Sequence, residues 1–316
     1  MLGYVIRRLL YTIPMLFVIS LLSFMILHLA PGDPITAMLG PGTALSEEVH
    51  QALIEKYNFD KSILTQYMLW LGTVMRGDLG YSFSMSKSVT SMIRERFPRT
   101  FLLALSSFTL SVLVALPLGF IAATKQHTWI DQGAMLFALI GISIPNFVLA
   151  VLLILLFSVR LGWLPVMGFV SIWEEPWEGI RHLIMPAMAL GSVVTAIFVR
   201  YVRAEVLDQL HRDYVVVARA KGIREYTILL KHVGRNASVA LITIWVLYFA
   251  RYLGGTIIIE QVFSWPGIGR LAFKAASGRD YPLLQGVILV FGVTYIVANL
   301  LTDVIYVFID PRITYD

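Results

Sequence analysis

Asp213-Tyr-Val-Val-Val-Ala-Arg-Ala-Lys-Gly222, with His232 and Arg235-Asn-Ala237 close behind it, is a charged island between two apolar runs, Ile184 to Val202 and Val239 to Ile259. Runs of roughly 20 apolar residues are what a helix needs to cross a bilayer. The island therefore reads as a structured polar loop joining two membrane helices. Residues 213–221 contain neither Pro nor Gly, and Tyr214, Val217, Ala218 and Lys221 share one helical face. Asp213 stands where a carboxylate complements the positive end of a helix dipole, and Gly222 supplies a stop that tolerates positive φ. A short helix, a sharp turn and a second helix over Arg224 to Val233 are predicted.

Composition extends this reading to the whole chain. Of 316 residues, 58% are hydrophobic and 14% charged, and the mean hydropathy is +0.76. A soluble domain carries ~25% charged residues. Six apolar runs occur, at Leu9 to Leu29, Phe101 to Ala123, Gly133 to Val159, Ile184 to Val202, Val239 to Ile259 and Leu283 to Ile309. They predict a single all-α membrane domain over residues 1–316 with both termini on one side. Pro14, Pro117, Pro145, Pro186, Gly254 and Gly255 fall inside these runs. They are expected to bend the helices without breaking them, because neighbouring helices re-satisfy freed backbone groups. The first run is read as an uncleaved anchor, since it is long for a signal peptide and Leu29-Ala30 is followed by Pro31.

Short-loop charge sets the orientation. Arg7, Arg8, Lys125 and the loop carrying Arg203, Arg212, Arg219, Lys221, Arg224, Lys231 and Arg235 share one side, which the positive-inside rule makes cytoplasmic. The loop at 203–237 and both termini then face the cytoplasm, and 31–99 and 260–282 face outward. Within the long outer segment, Ser46 is a candidate N-cap before Glu47-Glu48, with a helical stripe at Val49, Leu53 and Tyr57. A second amphipathic run through Leu64, Tyr67, Met68, Leu71, Val74 and Met75 ends at Arg76-Gly-Asp78. In the other outer segment, Trp265 suits a membrane interface, Pro266 suits a first helical turn, and a helix over Ile268 to Ala276 is expected.

Several chemistries are absent from the chain. There is no cysteine, and hence no disulfide, thiol nucleophile or cysteine metal site. No phosphate-binding Gly-x-x-x-x-Gly-Lys loop, zinc-binding His-Glu-x-x-His pair or Gly-x-Ser-x-Gly elbow occurs. No enzyme, metal or nucleic-acid function is indicated, the basic residues standing beside apolar spans as anchors to the lipid bilayer.

The motifs resemble the permeases of binding-protein-dependent ABC importers, in the first-permease type of the peptide and nickel branch. The resemblance rests on the 213–237 loop and on Arg7-Arg8, Pro31-Gly-Asp-Pro34, Gly77-Asp-Leu-Gly80, Pro145-Asn146, Leu161-Gly-Trp-Leu-Pro165, Phe263 to Arg270, Arg279-Asp-Tyr-Pro282 and Asp310-Pro-Arg312. The general pattern has Glu-Ala-Ala where this chain has Val216, Val217 and Ala218, and the peptide branch has Pro where Ala240 stands. The resemblance implies six transmembrane helices of the type I permease fold. It further implies a homologous second permease subunit, two ATP-binding subunits that carry ATP and Mg, an outer solute-binding protein, and no cofactor in this chain. Asp213, Tyr214, Ala218, Arg219, Ala220, Lys221 and Gly222 would then form the coupling helix that docks the ATPases. Trp265, Pro266, Arg270, Arg279, Asp280 and Tyr281 would form an outer gate or the binding-protein contact. The substrates of this branch include peptides, glutathione and nickel complexes, and a channel without ATPases is the alternative of a different class.

Arg251 sits mid-run, where a charge costs ~2.5–3.5 kcal/mol on insertion scales. With Tyr248 and Tyr252 on its arc, it is a candidate for the lining of a translocation pathway. An ion pair with Asp303 is the alternative.

Overall fold

A computed structural model describes residues 2–29, 35, 46–254 and 256–309, and all six apolar runs in it are helical. Helix α1 (Leu2–His28) carries the first run, with Pro14 inside it. Two shorter helices follow, α2 (Glu47–Tyr57) and α3 (Ile63–Met75). The Ser46 side chain accepts the Val49 N–H, as the capping pattern predicts, and Ser62 does the same for Thr65 at the start of α3. Asn58 ends α2 in the left-handed region at φ 59°. A two-stranded antiparallel hairpin then pairs β1 (Tyr81–Ser82) with β2 (Lys87–Ser88), Tyr81 opposite Ser88.

Helix α4 (Val89–Thr124) starts directly from β2, twelve residues before the second apolar run begins. The third run departs from expectation. It forms α5 (Trp129–Ser143) and α6 (Asn146–Leu153), the latter continuing as a π-helical turn over Ile154–Arg160, and the two arms meet at 104°. Pro145 excludes the preceding residue from helical space, and Ile144 is extended at φ −87°, ψ 120°. Pro145 is extended as well and caps α6. Here proline breaks the helix, whereas Pro14, Pro117 and Pro186 remain inside theirs.

Helix α7 (Pro176–Leu210) has Pro176 in its first turn. It leads through α8 (Asp213–Ala220), the three-residue α9 (Glu225–Thr227) and a π-helical turn over Ile228–Val233 into α10 (Gly234–Gly254). Helices α11 (Ile257–Val262), α12 (Ile268–Ser277) and α13 (Tyr281–Ile309) complete the chain. Among the described residues, α1, α4, α7 and α13 are each long and apolar enough to cross a membrane, and the bent α5–α6 pair makes a fifth span if counted as one. The fifth run is divided, since α10 ends at Gly254 and α11 begins separately. Gly255, Pro31 to Pro34 and Asp310 to Arg312 lie outside the described residues.

The chain groups into two compact units, Met1–Phe101 with Ser264–Leu300, and Leu102–Phe263 with Leu301–Asp316. The core of the first gathers Val89, Met92 and Ile93 of α4, Ile268, Leu271 and Ala275 of α12, and Leu283 and Val287 of α13. Within it α1 and α13 approach closely: a Cβ on Gly292 would stand 2.3 Å from Ile19 Cδ1. Small residues let membrane helices pack on backbone. The second unit uses the same device around α7, where a Cβ on Gly119 would stand 2.7 Å from the Val199 carbonyl oxygen and one on Gly141 2.9 Å from Ala196 Cβ.

Candidate functional site

The charged island folds as a closed structural motif. Asp213 and Arg219 occupy the first and last turns of α8, each complementing the dipole at its end. Gly222, at φ +70°, reverses the chain, and the Gly222 and Ile223 N–H groups donate to the carbonyls of Arg219 and Ala218 at 2.9 and 3.2 Å. Arg219 then clamps the far side of the turn, its Nη2 and Nε donating to the two carboxylate oxygens of Glu225 at 2.6 and 3.1 Å. The guanidinium holds the Glu225 carboxyl below the usual carboxylate range, and Glu225 in turn raises Arg219. Tyr214 donates to Gln209 Oε1 at 3.1 Å, and Arg212 pairs with Asp208.

One face of α8 belongs to the chain's own core. Val215 and Ala218 are buried with Ala123, Val202, Val206, Ile228, Val233, Ala237 and Leu241. Val217 and Ala218, expected on one face, point apart. Ala218 is packed inward, whereas Val216 and Val217 are 61% and 51% exposed, with Asp213, Arg219, Ala220, Lys221 and Gly222 also exposed. The turn beyond adds exposed Ile223 and Tyr226. The outward surface is thus an apolar strip of Val216, Val217, Ile223 and Tyr226 within a polar loop. It is held on a helix whose other side is locked in place.

The candidate pathway residues separate. Tyr252 is buried, its hydroxyl 2.7 Å from Ser111 Oγ and its ring edge-on to Phe108, so it packs α10 against α4. Tyr248 is half-buried against Phe198. The Arg251 side chain lies outside the described residues.

The outer candidates come together in the first unit, as fastenings. Trp265 is wholly buried and donates its indole N–H to the Arg99 carbonyl at 3.0 Å, so its ring faces the chain's own interior. Its polar edge finds a backbone partner in place of water. Pro266 precedes the Gly267 N-cap of α12 instead of entering the first turn, and the Ile268 N–H donates to Thr100 Oγ1 at 2.8 Å. Arg270 reaches the Ser264 carbonyl at 2.7 Å. Asp280 is buried, accepts the Ser82 and Ser84 hydroxyls, and caps α13 through the Leu283 N–H at 3.1 Å. Arg279 is exposed in the left-handed region at φ 55°, and Tyr281 begins α13 half-buried.

Two hollows escaped the sequence reading. One, of about 330 Å³ in the first unit, is lined by Tyr57, Phe59, Trp70 and Tyr81 with Lys56 and Asp78. Burial pushes the Tyr57 phenol above its usual range. The other, an open cleft of about 600 Å³ in the second unit, contains Arg200, Tyr201 and Arg203 of α7 with Met135 of α5 and Tyr248 of α10. Beside it Arg203 forms a two-bonded pair with buried Asp131, Nε to Oδ1 at 2.5 Å and Nη2 to Oδ2 at 2.8 Å. An acid two residues inside an apolar helix was the available signal for such a pair.

This arrangement of helices recurs among known proteins. The described fold superposes on a chain of the MetNI methionine ABC transporter, in inward-facing conformations, with a TM-score of 0.56 over 69% of this chain and 96% of that one. The sequence identity there is 16%, so the likeness is one of fold, the type I importer permease. Much closer relatives match from end to end. The oligopeptide transport system permease protein AppB of Bacillus subtilis is 40% identical, covering 100% of both chains. A putative peptide transport system permease protein of Brucella abortus is 38% identical over the same share, and the glutathione transport system permease protein GsiC of Escherichia coli is 40% identical, again covering 100% of both chains. Residues 1–104 match the N-terminal family model of binding-protein-dependent transport system membrane components, and residues 115–315 match the model of the inner membrane component itself. A helical membrane chain with that loop, that fold, matches to both models and relatives matched from end to end belongs to the inner-membrane permeases of binding-protein-dependent transport systems.

Proposed function

We propose that this chain is one of two homologous permease subunits in an ATP-driven importer of peptides, forming half of the translocation pathway at their interface. The observation that carries the reading is α8. Its inner face is locked by Val215 and Ala218, its turn is closed by Gly222 and by the Arg219–Glu225 clamp, and an apolar strip is left outward. Such a handle moves as a rigid piece and transmits force into α7, which it follows, and into α10, which it reaches through α9 and the turn at Ile228–Val233. On this reading the strip seats in a groove of an ATP-binding subunit. ATP and Mg stay on the two such partners, and the permease is not itself catalytic. Closure of the ATPases shifts the loop and switches the helices between two packings.

The positive-inside rule supports a cytoplasmic position for the α8 loop and both termini, in the inner membrane. The segments at 31–99 and 260–282 then face the solute-binding protein. There Arg279 and Tyr281 are the candidates left at the surface, while Trp265, Arg270 and Asp280 hold the platform in shape. Peptide is favoured as substrate because relatives named for oligopeptide and peptide transport match along the whole chain. The relative named for glutathione transport is equally similar and makes that tripeptide the second substrate to test.

The test is uptake by proteoliposomes containing the reconstituted complex. Labelled oligopeptide is expected to accumulate only with ATP inside the cytoplasmic compartment and with the binding protein outside. Uptake by this chain alone, without ATPases, would make it a facilitator. ATP-dependent uptake of glutathione or of a nickel complex, with no peptide uptake, would replace the substrate.

A further inference from the structure

The open cleft of the second unit has a polar rim and an apolar floor. Arg200, Tyr201 and Arg203 lie at the end of the apolar stretch of α7, and Asp131 lies two residues into α5, where exposed Trp129 begins that helix. The Asp131–Arg203 pair fixes the start of α5 and the end of the apolar stretch of α7 at one level, and the close approach of Gly141 to Ala196 shows that the helices then run antiparallel. From the Asp131–Arg203 level Arg200 is about 4.5 Å deeper along α7, Met135 about 6 Å deeper along α5 and Ile197 about 9 Å deeper along α7, at 1.5 Å per residue. Charge is unevenly distributed on the rim. Arg203 is neutralised by Asp131, whereas Arg200 is exposed and enters no ion pair among the described residues. The cleft therefore presents one unneutralised guanidinium, a half-exposed phenol at Tyr201, and hydrocarbon beneath them.

A monovalent oxyanion is the chemistry that a forked guanidinium beside a phenol recognises. Carboxylates of soluble solutes and phosphodiesters of lipids both qualify. Two features favour the lipid: the rim is at the depth where the apolar run ends, which is headgroup depth, and the Met135 and Ile197 floor accepts an acyl chain but gives a small polar solute nothing to bind. Basic pockets between membrane helices hold anionic headgroups in this manner. We propose that this cleft is a binding site for an anionic phospholipid, its phosphodiester on Arg200 and Tyr201 and an acyl chain over Met135 and Ile197. The bound lipid completes the wall between α5, α7 and α10.

Native mass spectrometry tests this on the assembled complex released from nanodiscs of mixed phosphatidylglycerol and phosphatidylcholine. The wild type should retain phosphatidylglycerol selectively. Arg200→Gln should weaken that retention about tenfold, the loss of one charge-assisted pair, and Arg160→Gln, at the far end of the α6 arm, should not change it. Equal retention by wild type and Arg200→Gln, or retention of phosphatidylcholine as strong as that of phosphatidylglycerol, overturns the site. Displacement of the lipid by millimolar peptide with a free carboxylate, and not by the same peptide amidated, overturns the lipid assignment in favour of a soluble anion. Should Arg200→Gln fail to assemble, Arg200→Lys and Tyr201→Phe carry the test, each expected to lose part of the selectivity, and no loss in either rejects the proposal.

Discussion

Neighbouring residues on α8 have opposite fates, and mutation should separate them. Ala218 faces the chain's own core and Val217 faces out. Ala218→Glu would bury an unpaired carboxylate and should destabilise the second unit by about 2–3 kcal/mol, read as a lowered melting temperature in detergent. Val217→Glu should leave that melting temperature unchanged and abolish pull-down of the ATP-binding subunits; intact pull-down would move the docking surface elsewhere. The Arg219–Glu225 clamp predicts a pH effect of known sign. The folded Glu225 carboxyl is held below its ordinary value of 4.5, so its contribution is complete above that pH and is lost as pH falls through the lowered value. Both partners are about half exposed, and screening limits the effect to under about 1 kcal/mol. Melting curves of wild type and Glu225→Gln should therefore differ slightly at neutral pH and converge only in acid, and a difference that persisted there would reject the clamp. Gly222 and Ser46 were readable in advance because their roles depend on nearby backbone alone. Trp265, Ala218 and Arg200 were not, because what covers or surrounds them is distant in sequence.

Among the elements, the close helix approaches are where substitution should be felt, and unequally. A Cβ at Gly119 meets the Val199 carbonyl at 2.7 Å and Val202 Cβ at 2.6 Å, one a backbone atom and the other rooted on it. At Gly292 the atoms met all belong to the Ile19 side chain, Cδ1 at 2.3 Å, Cγ1 at 2.8 Å and Cγ2 at 3.2 Å, and no backbone atom is among them, so a shift of that one side chain relieves the contact. Gly119→Ala should cost about 1–3 kcal/mol of stability, and Gly292→Ala distinctly less; equal melting shifts would show that the α4–α7 contact is looser than described. The helices themselves were legible from apolar length, and α12 from its flanking Pro, Gly and Arg. The 81–88 hairpin was not, since two-residue strands leave no alternation to detect and its turn places Ser86 at φ 51° without glycine. The break at Ile144-Pro145 was hidden for a different reason. Proline inside an apolar run has two outcomes, a kink or a stop, and the choice depends on whether Ile144 is driven extended.

For the molecule as a whole, orientation is the property most open to direct measurement. Lys87 is exposed on the hairpin, and the chain has no cysteine to give background. Lys87→Cys should react with an impermeant thiol reagent added outside intact cells; labelling confined to opened cells would invert the topology. Composition and run length were enough to establish a multi-span helical membrane protein, and the motifs its resemblance to the permeases, while the division into two compact units was not visible, because it depends on which helices share a core. The 104° break between α5 and α6 also bears on how the protein is made. Each arm is 15 residues long, Trp129–Ser143 and Asn146–Arg160, and about 20 are needed to cross the hydrocarbon. Neither arm is thus a stable stop for the insertion machinery when it emerges from the ribosome. Retention must await α7, whose apolar window is 61% buried inside the chain. Nascent chains truncated after Arg160 should stay in the membrane through α1 and α4 yet leave the 129–160 region open to protease, whereas chains extended past Leu210 should protect it. Protection already at Arg160 would mean that the two arms enter the bilayer without their neighbour.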